Sequence, residues 1–227
     1  MVESFNMKLE KYIDHTNLKA NATRVDIEKL CLEAKEFDFA SVCVNPYWVS
    51  FAKELLTGTD VNVCTVIGFP LGATSTESKT DETIFAIQQG ADEVDMVINI
   101  GLVKNKEYDK VTNDIKSVVN AAHKQDAIFG TKSIVKVILE TCYLTDEEIV
   151  SSCKCCLNAG ADFVKTSTGF GPEGATLKNV KLMKETVGDK CKIKAAGGIR
   201  DKETAIAMID CGADRIGTSN GTKICEK

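Results

Sequence analysis

Three lysines stand where lysines are costly. Lys136 lies in IVKVILE, Lys165 in DFVKTSTG and Lys194 in KIKAAGG, each inside an apolar run and each 29 residues after the one before. An ammonium in a strand covered on both faces needs a polar cavity or a carboxylate partner. If the three strands are neighbours and alternate residues face one way, the three amines crowd together and repel. An ordinary lysine is neutral about once in a few thousand molecules at pH 7. Roughly 4 kcal/mol of desolvation and repulsion would make one amine a nucleophile for a carbonyl carbon. The alternative is three lysines turned outward into ion pairs, and three in consecutive strands tell against it.

Two acids could move protons beside such an amine. Asp95 sits between Val94 and Met96 in the middle of an apolar run, and Asp14 ends an earlier one. Strand interiors disfavour Asp, so Asp95 needs a partner, and a lysine would serve either as an ion-pair anchor or as a partner in proton transfer. His15 could do the same chemistry or bond locally at a strand end. Beyond the lysines come short glycine turns: Gly169-Phe170-Gly171, Gly197-Gly198 and Gly217-Thr218-Ser219-Asn220. Turns of this kind present backbone N–H groups to a phosphate, with Arg200 close by as a further charge or a solvent-facing one.

The elements that must hold these groups alternate. Apolar runs at 11–15, 40–44, 61–67, 93–98, 134–140, 162–166, 192–196 and 214–217 read as strands. Amphipathic patterns at 24–37, 75–89, 108–124, 146–158, 178–187 and 202–211 read as helices. Eight strands without a nucleotide fingerprint predict an α/β fold, a closed (β/α)8 TIM barrel forming a single domain over 1–227. A short N-terminal helix opens it. Its last helix is truncated, because little chain follows the final strand. Gly-Ala-Asp recurs at Gly90, Gly160 and Gly212, each after a helix and before a strand. Glycine past a helix end takes the left-handed conformation cheaply. Counting five residues from each glycine gives Asp95, Lys165 and Gly217, so an acid and a lysine are expected on comparable rungs of one wall.

Composition narrows the function. The 227 residues carry a net charge of −5 and no basic block, which leaves no footprint for nucleic acid or anionic lipid. No apolar run approaches membrane-spanning length, and the first ten residues lack the apolar core of a signal peptide, so a cytoplasmic protein is expected. The ten cysteines lie scattered through apolar segments. Ile149, Cys153, Cys156 and Leu157 follow a helical stripe, which favours packing over metal binding or disulfides. Two histidines, His15 and His123, exclude a zinc site built on three. A short last helix would leave apolar surface uncovered, and a homodimer is expected on that ground.

The segments IDHTNL, SVCVNP, VIGFPLG, GADEVDMVINIG, KVILET, GADFVKTSTGF, KAAGGIR and RIGTSNG, in order from Tyr12 to Gly221, resemble the deoxyribose-phosphate aldolase family. The resemblance implies a (β/α)8 barrel. It also implies reversible cleavage of 2-deoxy-D-ribose 5-phosphate to D-glyceraldehyde 3-phosphate and acetaldehyde, in deoxyribonucleoside catabolism. No metal and no organic cofactor are expected. Lys165 matches the Schiff-base lysine, Lys194 the second lysine that tunes it, and Asp95 the proton-shuttling acid. Asp14, Thr16 and Cys43 fall where the family lines its substrate pocket. Lys136, crowded with the other two lysines, is expected to face that pocket as well. Gly171, Gly198, Ser219 and Asn220 fall in the phosphate-binding loops. Two departures stand out: no terminal tyrosine follows Lys227, and Phe170 stands where some relatives have lysine. Two other readings of the residues remain. One is a different Schiff-base barrel aldolase or transaldolase acting on a sugar phosphate; the other is a non-catalytic barrel that only binds one.

Overall fold

In the computed structural model, which describes residues 8–226, a 3-10 turn at Leu9–Tyr12 leads into eight parallel strands closed in the order β1 to β8. They are β1 (Ile13–Asn17), β2 (Ser41–Val44), β3 (Asn62–Ile67), β4 (Glu93–Val97), β5 (Ile134–Ile138), β6 (Phe163–Lys165), β7 (Lys192–Ala196) and β8 (Arg215–Thr218). The main helices are α1 (Arg24–Phe37), α3 (Thr76–Gln88), α5 (Tyr108–Phe129), α6 (Asp146–Ala159), α7 (Leu177–Val187) and α8 (Lys202–Asp210). Three shorter ones, α2 (Val49–Leu55), α4 (Ile100–Lys104) and α9 (Gly221–Cys225), complete the ring. Among the described residues no helix is long and apolar enough to cross a membrane.

Alternation decides what each strand residue meets. Val42, Val63, Val94, Met96, Val135, Val137, Val164, Ile193 and Ile216 point outward and share one core with the helices. The residues between them point into the barrel, and there Leu18, Cys43, Cys64 and Val66 form a separate small apolar cluster. Helix starts follow sequence chemistry: Thr23 and Thr145 close capping boxes on α1 and α6, and Ser75, Thr176 and Asp201 cap α3, α7 and α8. Cys153, Cys155 and Cys156 are buried on α6, and all ten cysteines are unpaired.

The Gly-Ala-Asp repeat has a second purpose that the glycine alone did not reveal. Asp92, Asp162 and Asp214 each accept the backbone N–H of the strand before their own: Val63 at 2.9 Å, Val135 at 2.8 Å and Ile193 at 2.9 Å. Each Asp N–H also donates to the carbonyl of that same residue, at 2.8, 3.0 and 2.8 Å. The repeat therefore clamps β3–β4, β5–β6 and β7–β8 in register at the end where strands begin. The last helix differs from expectation in its packing: α9 buries Ile224 and Cys225 rather than leaving apolar surface open. The exposed large apolar side chains lie elsewhere, including Val25 and Leu32 on α1 and Phe85, Ile128 and Phe129 on α3 and α5.

Candidate active site

Register sets the height of each charged side chain inside the barrel. Asp95 on β4 pairs with Lys136 on β5, while Lys165 on β6 pairs with Lys194 on β7 and lies one inward-facing position higher. The side chains close that step. The Lys136 ammonium donates to Asp95 Oδ1 at 2.8 Å; Lys165 and Lys194 both donate to Oδ2, at 2.7 and 2.8 Å. One carboxylate thus holds three lysines. The crowding expected from the spacing is present, but acids are interleaved with the amines.

The acids are shared unequally. Lys194 has a second partner in Asp14, 2.5 Å away. Lys136 also pairs with Glu93 and lies 3.9 Å from Asp14. Lys165 has Asp95 alone among the described carboxylates. Arg215 finishes the lower layer, bonding Asp14 at 2.5 Å and Glu93 at 3.3 Å.

Burial works against the charge on Lys194, yet Asp14 and Asp95 outweigh it and hold this ammonium above the usual lysine value. Lys136 behaves likewise: burial opposes its charge, and Asp95, Cys64 and Glu93 overcome it. Burial would raise Asp95, but Lys136, Lys165 and Lys194 together press it well below the ordinary carboxylate range. Asp14 is similarly lowered, with burial overcome by Lys194 and Arg215. Both carboxyls therefore stay anionic.

Above this cluster opens a cavity of about 650 Å³ at the end where the strands finish. Of the three barrel lysines only Lys165 lines it. Thr16, Gly198 and Ser219 line it too, together with Lys19, Lys29 and Arg200, which supply positive charge at its walls. Asp14, Cys43, Lys136 and Lys194 lie beneath, at most 1% exposed in their side chains or fully buried. Lys136 is thus placed as a partner of Asp95 rather than on the cavity wall. Gly171 and Asn220 stand outside the lining; Asn220 instead donates to the Arg200 carbonyl at 3.4 Å. The turn after β7 lies tight against the loop after β6: a Cβ on Gly174 would meet the Gly197 carbonyl oxygen at 2.1 Å, so that position needs glycine.

Several contributors escaped the sequence reading. Glu93 and Arg215 anchor the lower layer, and Cys64 donates to Asp95 Oδ1 at 3.2 Å. Glu140, buried with φ +55°, accepts the Thr168 N–H at 3.1 Å and its hydroxyl as well, fixing the loop that leaves Lys165. Glu93 lies two residues before Asp95 on the same inward face, and that spacing could have marked it. His15 also lines the cavity, and its Nε2 meets Glu33 at 2.7 Å; burial lowers its pKa despite that carboxylate. Phe170 stacks edge-on against Phe69 at the cavity mouth, with centroids 5.3 Å apart.

An amine with one shared carboxylate, at the floor of a cavity whose walls carry Lys19, Lys29 and Arg200 beside Asp26 and Glu33, is equipped to bond a carbonyl carbon. Comparison with known proteins agrees. The profile of the DeoC/LacD family aldolases matches residues 8–227. The deoxyribose-phosphate aldolase of Carboxydothermus hydrogenoformans is 58% identical over 219 residues, covering 96% of this chain and 94% of that one. That of Aciduliprofundum boonei is 57% identical, covering 96% of each. Among solved structures, the aldolase QR15 superposes with a TM-score of 0.88 at 43% identity, covering 99% of this chain and 95% of that one. The tetrameric deoxyribose phosphate aldolase of Aeropyrum pernix gives 0.86 at 32% identity, covering 95% and 88%.

Proposed function

The chain belongs to the DeoC/LacD family of aldolases, and we propose that it cleaves 2-deoxy-D-ribose 5-phosphate to D-glyceraldehyde 3-phosphate and acetaldehyde through a Schiff base on Lys165. The observation that carries the residue assignment is the inequality among the three barrel lysines: of these, only Lys165 reaches the cavity, and it has the fewest carboxylate partners. The neutral amine adds to the aldehyde carbon of the open-chain sugar. Loss of water from the carbinolamine leaves a protonated imine, which draws the electrons of the bond between carbons two and three into an enamine. The 3-hydroxyl loses its proton as that bond breaks, and glyceraldehyde 3-phosphate departs. Protonation of the enamine carbon and hydrolysis then free acetaldehyde and the amine.

Asp95 and Lys194 divide the remaining work. A carboxyl pressed as low as Asp95 stays an anion, so it serves by ordering and polarising a water that carries the proton between the 3-hydroxyl and the enamine carbon. Lys194 remains a cation two hydrogen bonds from Lys165, through Asp95 Oδ2, where it favours developing oxyanions. Gly198, Ser219 and the cations of the cavity wall are assigned to the phosphate. Its capture at a fixed distance from Lys165 makes attack effectively unimolecular. Gly171 and Asn220 are assigned to the same loops. Asp14 acts through Lys194, Thr16 lines the sugar end of the pocket, and Cys43 packs beneath it.

Borohydride reduction in the presence of acetaldehyde tests the assignment. A stable two-carbon adduct is expected at Lys165, and an adduct at Lys136 or Lys194 instead would overturn it. Turnover of deoxyribose 5-phosphate in preference to six- and seven-carbon sugar phosphates separates this reading from other Schiff-base barrel aldolases. We place the enzyme in the cytoplasm, in deoxyribonucleoside catabolism, as a homodimer joined through apolar surface on α1 or on α3 and α5. Light scattering would show a mass of two chains, and a monomer would refute the dimer.

A further inference from the structure

Beside Lys136, the barrel interior holds two thiols that take no step in the aldol chemistry. Cys43 on β2 and Cys64 on β3 are direct register partners, both wholly buried and both pointing inward. Their sulfurs and one carboxylate oxygen of Asp95 all lie within 4.8 Å of one another, and Cys64 is 3.2 Å from Asp95 Oδ1. A tetrahedral zinc ion bonds sulfur at about 2.3 Å and carboxylate oxygen at about 2.0–2.2 Å, which places neighbouring donors roughly 3.5–3.8 Å apart. The three donors therefore need shifts of no more than about 1 Å to close on one ion.

Two sulfurs and one oxygen suit a borderline-soft dication such as Zn²⁺ or Cd²⁺, and poorly suit Mg²⁺ or Ca²⁺. We propose that Cys43, Cys64 and Asp95 form an inhibitory site for a thiophilic divalent cation, set beneath the substrate cavity. Three nearby ammonium groups repel a cation there. The exchange is nevertheless electroneutral: one dication enters as two thiol protons leave to solvent, and no oxidation or reduction is involved. The supporting shell exists already, since the second oxygen of Asp95 stays bonded to Lys165 and Lys194 and keeps the carboxylate oriented. The Lys136 ammonium has to give up its bonds to Oδ1, at 2.8 Å, and to the Cys64 sulfur, at 3.4 Å, and keeps Glu93 as its partner.

Occupancy would stop turnover for a stated reason. The net charge of the interior is unchanged, but the ion draws the charge of Asp95 toward Oδ1 and away from Lys165, so a protonated imine there has a weaker counter-charge. The phosphate-binding wall is untouched, and the loss should fall on kcat more than on KM.

The test titrates reduced, chelator-treated protein with Zn²⁺. One tightly held ion per chain is expected, with two sulfur neighbours at about 2.3 Å in its X-ray absorption spectrum. Turnover should fall with occupancy and return on adding a chelator. Cys64→Ala, with inhibition measured against its own metal-free rate, should lose one sulfur neighbour and need at least about tenfold more Zn²⁺ for half-inhibition. A spectrum of nitrogen and oxygen neighbours alone, or equal half-inhibition in Cys64→Ala and the parent, overturns the site; the parent spectrum decides even if the variant fails to fold. The inhibition rests on the proposed role of Asp95, whereas the spectrum does not. Two bound sulfurs with undiminished turnover would overturn the inhibition and count against Asp95 as the anion that orders the proton-carrying water.

Discussion

Among the described residues, lysine is buried against aspartate in two places, and the two differ in almost everything else. Between α3 and α5, Lys79 donates to Asp114 at 2.6 Å, with 0% and 4% of their side chains exposed. The Thr76 hydroxyl satisfies the other oxygen of Asp114 at 2.7 Å. One cation meets one anion, each is satisfied, and neither faces a cavity. In the barrel, one Asp95 serves three lysines, and one of those lysines opens on empty space. The first arrangement is complete and can only hold two helices together. The second shares one anion among three cations beside an open cavity. Burial of a charged pair does not by itself mark a site; unequal sharing next to a cavity does.

Lys165→Leu should break the comparison hardest. It removes the only amine at the cavity floor, and cleavage of deoxyribose 5-phosphate should fall on the order of 10⁴-fold or more, as expected when a covalent group is lost. The variant should fold, because Asp95 keeps Lys136 and Lys194. Residual turnover within tenfold of the parent would move the Schiff base elsewhere. Lys79→Met should do the reverse. Removing one partner of a buried pair costs about 3–5 kcal/mol of stability, readable by urea unfolding. The distant kcat should change by no more than about twofold. The double variant Lys79→Met, Asp114→Leu should recover most of that stability. If Lys79→Met instead lowers kcat with stability intact, the two pairs are not separable as structure and chemistry.

Lys194→Met lies between these. It takes a fixed cation from both Asp14 and Asp95, and kcat should drop roughly 10²–10³-fold, the scale of one preorganised electrostatic group. The amount of Lys165 adduct trapped by borohydride at pH 7 should fall as well. An unchanged kcat would assign Lys194 to packing.

How much of this could be read from the chain follows from what each feature depends on. The barrel was legible because period-2 apolar runs and capped helices are local, and the 29-residue spacing exposed three lysines on adjacent strands. The ends of elements were less so: Lys11 and Tyr12 join a 3-10 turn rather than β1, and α5 runs on to Phe129. Lys79 passed unnoticed because a lysine in a polar helix is ordinary until a second helix covers it. Glu93 and Arg215 are distant in sequence and meet only on closure of the barrel. The capping Asp residues of the repeat were hidden for the same reason: their partners lie on the preceding strand, 27 to 29 residues back for Asp162 and Asp92.

The acid limb of the stability curve supplies the finest test of the shared carboxylate. Lys136 and Lys194 are raised in the fold, so their contribution is full below the unfolded lysine value near ~10.4 and is lost only as pH climbs through the higher folded values. Asp95 is lowered well below its unfolded value, near ~3.9, so its contribution is full above that and lost as pH falls toward the folded value. As pH falls below about 4 the unfolded chain therefore takes up a proton at this position before the folded chain does, a slope of up to roughly 1.4 kcal/mol per pH unit. Asp95→Asn removes that group from both states. The variant should be less stable at pH 7, because three ammonium groups lose their common anion, yet its acid slope should be shallower by about one proton. Unfolding by urea across this range measures both. An unchanged slope would mean that Asp95 is protonated in the folded barrel, and the uneven sharing that sets Lys165 apart would then need another anion.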